Sequence, residues 1–384
     1  MIQIAYFSPL PPARSGIADY SAELLPHLAE LAHITLFTDQ PDLPDALRQQ
    51  FAIRPTAAYP AEQWRHDLPL YQMGNSHHHE SLYQMSLHYP GVVVLHDANL
   101  HEFMAHRSAG QSGYTREWGY AQGLDGINQI WRQRLTGQPA AAPPLHNRLL
   151  AVSRGLIVHS HFVRRGLAHP PAAVAVIPHQ MTPQTGAPFP RTDLNWPADA
   201  LIFAAFGQVT PAKQVEMALR AFARWQQAHP QVDGRFLIVG EWLEPADPAP
   251  LLAELGIAQR VHSTGYVADL ADYRRWLNTA DIILSLRYPT IGETSGAALR
   301  ALGAGKPVIV FDHGWYGELP RTAVRQTAVM DEGALLAAMS ELAASPELRQ
   351  QLGAAGLAYV QDVCAPPKVA AAYAQFLHHC LEVG

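Results

Sequence analysis

Gly292-Glu293-Thr294-Ser295-Gly296, running on as AALRALGAGKPVIVFD to Asp312, writes a loop, a helix and a buried strand in succession. Thr294 or Ser295 can cap the helix, the Ala/Leu-rich body propagates it, and Gly303 or Gly305 ends it. Pro307 then opens a β-branched apolar strand. The helix start is a ready anion site, because its first N–H groups have no partner inside the helix. Glu293 beside those amides suits a ligand carrying both phosphates and hydroxyls, since a carboxylate repels a bare phosphate but accepts hydrogen bonds from a sugar. The combination reads as a nucleotide-sugar pocket.

The same punctuation recurs along the chain. In the first half, apolar runs at 2–7, 34–37, 70–73, 92–95, 155–158 and 174–177 alternate with helix-period segments at 17–31 and 79–88, which predicts a parallel sheet wrapped by helices. Between 180 and 197 the pattern breaks into a stretch holding Pro183, Pro188, Pro190 and Pro197 with no apolar period, the linker candidate. Alternation restarts with strands at 201–206, 235–239, 261–263 and 281–286 and helices at 211–225, 250–255 and 270–279. The expected fold class is α/β, with an N-terminal domain over 1–182, a Pro-rich linker over 183–198 and a C-terminal domain over 199–365. Each domain is expected to be a Rossmann-like, doubly wound parallel sheet. The amphipathic segment 366–384 is expected to cross back onto the first domain. Residues 107–148, with Trp118, Trp131 and an Ala/Pro run at 139–144, read as helices with a mobile loop or, equally, as an oligomer contact.

Bulk properties narrow the function. At 384 residues the chain suits two domains, and 48% hydrophobic residues, 16% charged residues and a net charge of −6 describe a packed soluble protein with no nucleic-acid footprint. The two cysteines, Cys364 and Cys380, lie near the C-terminus in helix-like sequence, so a disulfide framework is not expected. The opening MIQIAYFSPLPP lacks a basic leader, and no run of about 18 apolar residues follows. A cytoplasmic location is expected, with peripheral membrane association left open.

Chemistry-bearing residues cluster at the expected carboxyl ends of strands, where ligands bind in such folds. Arg14-Ser15-Gly16-Ile17-Ala18-Asp19-Tyr20 follows the first run, and Gly16 is either a structural turn or a place where backbone approaches a ligand. His96-Asp97 ends the 92–95 run, either facing a ligand or held as a pair for packing. His77-His78-His79-Glu80 cannot share one helix face, so a metal site is not expected and the histidines read as solvent-facing or cleft-lining at a helix start. Phe206-Gly207-Gln208 leads to a helix with Lys213 in its first turn, where it meets an anion or snorkels to water. Glu241, after the 235–239 run, is a capping or a ribose-side group.

Together these pieces resemble the retaining glycosyltransferases of family 4, which have the two-Rossmann GT-B architecture with domains facing across a cleft. The resemblance rests on the Gly16 loop, His96-Asp97, Ile177-Pro178-His179, Phe206-Gly207 with Lys213, Gly265-Tyr266-Val267, and Gly292 to Gly296 running into Gly305-Lys306-Pro307. It implies that Lys213 binds the donor diphosphate, Glu293 the donor sugar hydroxyls, and the amides of Thr294, Ser295 and Gly296 the phosphates or sugar. It further implies that Gly16 and Gly207 line the diphosphate, that the backbone of Tyr266 and Val267 receives the base, and that His96 lies near the transferring sugar, making His96, Lys213 and Glu293 the catalytic set. Arg14, Asp19 and Asp97 fall on the acceptor side. Two places depart from the family pattern: Gln208 stands where an arginine is usual, and Arg300 where a second glutamate usually meets the ribose. Arg14 or Arg287 is then expected to share the diphosphate.

The implied activity is transfer of a hexosyl group from a UDP- or GDP-sugar to a hydroxyl of a glycan, lipid-linked or small-molecule acceptor. No cofactor, metal or nucleic acid is implied, and a homo-oligomer is left open. The alternatives are a same-fold epimerase or phosphorylase, and a catalytically silent nucleotide-sugar or glycan-binding protein.

Overall fold

Short β-branched and aromatic runs make up the central strands of two sheets, with shorter, more polar strands such as Ala52–Arg54 and Arg325–Thr327 at their edges. The computed structural model describes residues 1–108, 112–137, 143–243 and 247–383. The first sheet comprises β1 (Ile2–Phe7), β2 (Ala32–Phe37), β3 (Ala52–Arg54), β4 (Leu68–Met73), β5 (Val92–Leu95), β6 (Gly155–Val158) and β7 (Val174–Val176). The second comprises β8 (Leu201–Phe206), β9 (Gly234–Val239), β10 (Val261–Ser263), β11 (Ile282–Leu284), β12 (Val308–Phe311) and β13 (Arg325–Thr327). Their orders are β3-β2-β1-β4-β5-β6-β7 and β10-β9-β8-β11-β12-β13, and every pairing is parallel. Strand order therefore reverses between β1 and β4 in one sheet and between β8 and β11 in the other. Those reversals are the switch points beside which loops part to admit ligands.

The period-2 alternation of each strand divides its side chains between two helix-covered faces. In β8, Leu201, Phe203 and Ala205 join one core with Trp225 and Met339, while Ile202, Ala204 and Phe206 join another with Trp196 and Leu302. In β1, Ile4 and Tyr6 pack with Leu24 and Tyr373, and Ala5 and Phe7 with Tyr71 and Trp118.

The chain divides into two compact units. One comprises Met1–Gln180, Ile291–Thr294 and the stretch from Pro366 onwards; the other comprises Met181–Thr290 and Ser295–Ala365. The helix Pro366–Glu382 packs in the first unit, where the Tyr373 and Tyr20 hydroxyls lie 2.7 Å apart. The Pro-rich stretch 183–198 is ordered on the second unit. Gln184 N–H donates to Gly303 C=O at 2.8 Å, the Phe189 ring lies 4.2 Å from that of Trp276, Arg191 forks onto Asp281 at 2.8 and 3.0 Å, and Trp196 is buried. It carries no apolar period because its anchors are single side chains, joined by backbone that prolines hold extended.

Residues 139–142 of the Ala/Pro run lie outside the described residues. Around them stand the helices His101–Ser108, Ser112–Thr136 and Asn147–Val152, the second kinked at Gly123 (φ 64°). Trp118 is fully buried there and Trp131 is exposed.

Candidate functional site

In the second unit three glycines meet at the carboxyl edge of the sheet. Gly207 follows β8 with φ 88°, Gly240 follows β9, and Gly265 lies beyond β10 with φ 66°. Gly207 N–H donates to Val239 C=O at 2.8 Å, and Gly240 bridges Gly265. A Cβ on Gly240 would overlap the Gly207 carbonyl, so these loops pack backbone against backbone. A Cβ on Gly207 would overlap Lys213 Nζ.

Lys213 arrives there by a route that differs from the expected continuous helix. Pro211–Lys213 is a 3₁₀ turn, Gln214 turns left-handed (φ 52°), and the helix begins only at Val215. The turn brings Lys213 Nζ back onto Phe206 C=O at 2.7 Å, so the ammonium lies over the end of β8. Gln214 Nε2 donates to Tyr288 C=O at 2.8 Å and Tyr288 N–H to Ala212 C=O at 2.8 Å, which ties the loop after β11 to the turn carrying Lys213. Neither Gln214 nor Tyr288 was singled out from sequence, because their role exists only when the ends of β8 and β11 are adjacent.

Ser295 caps the helix Gly296–Gly303, its Oγ accepting the Ala298 N–H at 3.1 Å, and a Cβ on Gly296 would meet nothing within 4 Å. The space beside the first residue of this helix is therefore open. Tyr266 is half exposed, Val267 packs against the core and Gln208 is exposed. Arg300 lies 3.4 Å from Gln184 Oε1, which also accepts from Arg274 at 3.2 Å. Glu241 is exposed, and the start of the next helix takes its side-chain acceptor from Asp247 instead, at 2.9 Å from Ala249 N–H.

In the first unit Ser15 caps the helix Gly16–Ala29, with Gly16 open to solvent and Arg14 and Asp19 exposed beside it. Asp97 Oδ2 accepts the Asn75 N–H at 2.9 Å, which ties the end of β5 to the turn after β4. The His96 ring does not pair with Asp97. Its Nε2 lies 2.7 Å from the Gln72 amide and its Nδ1 3.2 Å from His159 Nε2, while His159 Nδ1 lies 2.9 Å from Ile177 C=O. Burial lowers the affinity of both imidazoles for a proton, bringing His159 to about 4 and His96 well below its ordinary range with His159 and His179 adding to the effect. With both rings neutral, one proton assignment satisfies every contact. His159 donates from Nδ1 to Ile177 and His96 donates from Nδ1 to His159, so His96 Nε2 is left as an acceptor, which requires the Gln72 amide to be turned so that its nitrogen takes the place of the oxygen lying 2.7 Å away. Both nitrogens of His96 are thus engaged inside the unit.

His77 faces solvent as expected, but His79 is buried against Ser76 and its pKa falls to about 4 by desolvation. Among the described residues no cluster of three His, Cys, Asp or Glu is placed to hold a metal ion. Glu293 is buried in the first unit, its Oε2 accepting the Ile291 N–H at 2.7 Å. Adjacent Gly292 (φ 82°) allows this segment to approach closely, since a Cβ there would lie 2.5 Å from Ala98 Cβ. Thr294 belongs to the same segment.

Comparison with known proteins locates this geometry. Residues 200–345, which carry the glycine edge, Lys213 and the Ser295-capped helix, match the family model for Glycosyl transferases group 1. D-inositol 3-phosphate glycosyltransferase of Streptomyces scabiei is 28% identical over 252 residues, 59% of this chain and 54% of that one. Its counterpart in Thermobispora bispora is 31% identical over 170 residues, 41% of this chain and 37% of that one. The chain spans about half the length of the curated relatives it matches. Among solved structures, Anabaena HepE in complex with UDP superposes with a TM-score of 0.69 at 16% identity, covering 98% of this chain and 100% of that one. Sucrose-phosphate synthase from Thermosynechococcus elongatus gives 0.70 at 18% identity, covering 100% of both. The chain accordingly has the GT-B fold, and its residues 200–345 are similar to the Glycosyl transferases group 1.

Proposed function

We propose that this protein is a retaining glycosyltransferase that moves a hexosyl group from a nucleoside-diphosphate sugar to an acceptor hydroxyl. The observation that carries the reading is the carboxyl edge of the second sheet, where Lys213 Nζ, backbone at Gly207 and the N-terminus of a Ser295-capped helix belong to one unit. As the bond from the anomeric carbon to phosphate breaks, negative charge grows on the diphosphate while the sugar gains oxocarbenium character. A fixed ammonium and oriented amides stabilise that charge without reorganising. The acceptor oxygen bonds to the anomeric carbon on the face the phosphate leaves, and its proton passes to the departing phosphate oxygen. No paired carboxylates like those of a glycosidase are then needed. His96 receives no proton-transfer role, because both its nitrogens have buried partners. Glu293, whose carboxylate is oriented by the Ile291 N–H, is assigned to the donor sugar hydroxyls.

UDP is the first nucleotide to try, since HepE is described in complex with UDP and with UDP-glucose. Thermal-shift binding of UDP, GDP, ADP and dTDP and their sugars, followed by a transfer assay on any that bind, tests the proposal through binding linkage. A nucleotide that raises Tm together with acceptor-dependent release of nucleoside diphosphate supports it. Binding without turnover over a broad acceptor panel would favour a silent binding protein, a reading to which the neutral, exposed Gln208 lends weight. Donor consumption without any acceptor would favour an epimerase or hydrolase.

A further inference from the structure

At the carboxyl ends of β1 and β2 the first unit carries a recess of about 150 Å³. Its floor is apolar: the Phe7 and Phe37 rings stack 5.2 Å apart, with Leu82 beside them. Its rim is polar and under-used. Asp39 Oδ1 accepts the Thr56 N–H at 2.9 Å, and no other described residue hydrogen-bonds that carboxylate. The Gln40 amide, the His78 ring and the Ser81 hydroxyl, all lining the recess, likewise have no hydrogen-bond partner among the described residues. None of these four belongs to a motif that the resemblance covers.

We propose that this recess seats an unphosphorylated sugar or cyclitol ring, which, on the glycosyltransferase reading above, is the part of the acceptor that the first unit recognises. Size is the first argument: the space is below the roughly 300 Å³ of a drug-sized pocket, which limits it to a ligand of about one ring. Its lining is the second. An apolar floor with a polar rim matches a ring whose faces are C–H and whose edge is hydroxyl, and a carboxylate and an amide both accept hydroxyl protons. Charge is the third. The lining holds one carboxylate and neither lysine nor arginine, and burial together with His77 lowers the proton affinity of His78. A phosphate monoester would stand beside Asp39 with no lining cation to offset the repulsion.

Ligand-observed saturation-transfer NMR on the full chain, with UDP present, tests the assignment using glucose, galactose, mannose and myo-inositol against glucose 6-phosphate and inositol 3-phosphate. At least one unphosphorylated ring should bind, with its phosphate at least tenfold weaker. Ser81→Tyr should remove the signal without moving the melting curve, because Ser81 is exposed on the helix Glu80–His88. Asp39→Asn, which keeps an acceptor for Thr56, should narrow the gap between sugar and sugar phosphate. A phosphate that binds as well as its parent ring, binding untouched by Ser81→Tyr, or silence from every ring would each overturn the proposal. Nucleotide-induced Tm shifts and donor turnover report separately on the activity, so loss of one reading leaves the other measurable.

Discussion

On the proposed reading Lys213 meets the charge growing on a leaving diphosphate, and the tertiary structure shows its ammonium held on Phe206 C=O. Lys213→Ala is expected to lower the transfer rate about 10²- to 10³-fold, the loss typical of removing one group that stabilises a developing oxyanion. Steady-state kinetics would check it, and an unchanged kcat would leave the lysine with a structural role on the end of β8. Two glycines make a contrasting pair. Gly207→Ala imposes a side chain at φ 88° in the space of Lys213 Nζ, so stability should fall by about 1 kcal/mol and nucleotide binding should weaken. Gly16→Ala meets no neighbouring atom and lies in a helix, so stability should hold or rise by up to ~1 kcal/mol. Chemical denaturation with a nucleotide titration separates the two, and a stable Gly16→Ala protein with impaired transfer would mean that a ligand approaches that backbone.

At the scale of elements, the terminal helix Pro366–Glu382 contributes Val369, Tyr373, Phe376, Leu377 and Cys380 to the first unit's core. Gly155 in β6 leaves room for it: a Cβ there would stand 2.5 Å from Cys380 Sγ and 3.3 Å from the Phe376 ring. Gly155→Ala should therefore destabilise by about 1–3 kcal/mol through overpacking, and pairing it with Cys380→Ala should recover part of the loss. Urea unfolding of the single and double variants would check this coupling. Most elements were legible because periodicity and punctuation agreed, as in Ser295, Gly296–Gly303, Gly305 and Pro307 before β12. The edge strands β3 and β13, with three residues each, are too short to show a period. The broken start of the helix after Lys213 was missed because Gln214's left-handed turn is supported by Tyr288, seventy-odd residues away in sequence.

Over the whole molecule, buried histidines give stability a sign and a pH window. His79 and His159 fall to about 4 in the folded state from 6.5, so the unfolded chain binds more protons between those values. Stability should then decline as pH drops below about 6.5, by about 1.4 kcal/mol per unit for each imidazole, and level off near 4. Urea midpoints from pH 7.5 to 4.5 would show it, and His159→Gln should flatten the slope; a midpoint independent of pH would contradict the buried neutral network. No helix among the described residues is long and apolar enough to cross a membrane. By itself the sequence determined two parallel α/β sheets, the capped helix at Ser295 and the residues worth testing, because hydrophobic period, caps and glycines act within a few residues of one another. Tertiary structure alone decided that His96 points both nitrogens inward, that stretch 183–198 packs on the second unit, and that Asp39 and Ser81 share one recess. Those facts depend on which strand ends become neighbours, and a parallel sheet makes neighbours of residues that the chain keeps far apart.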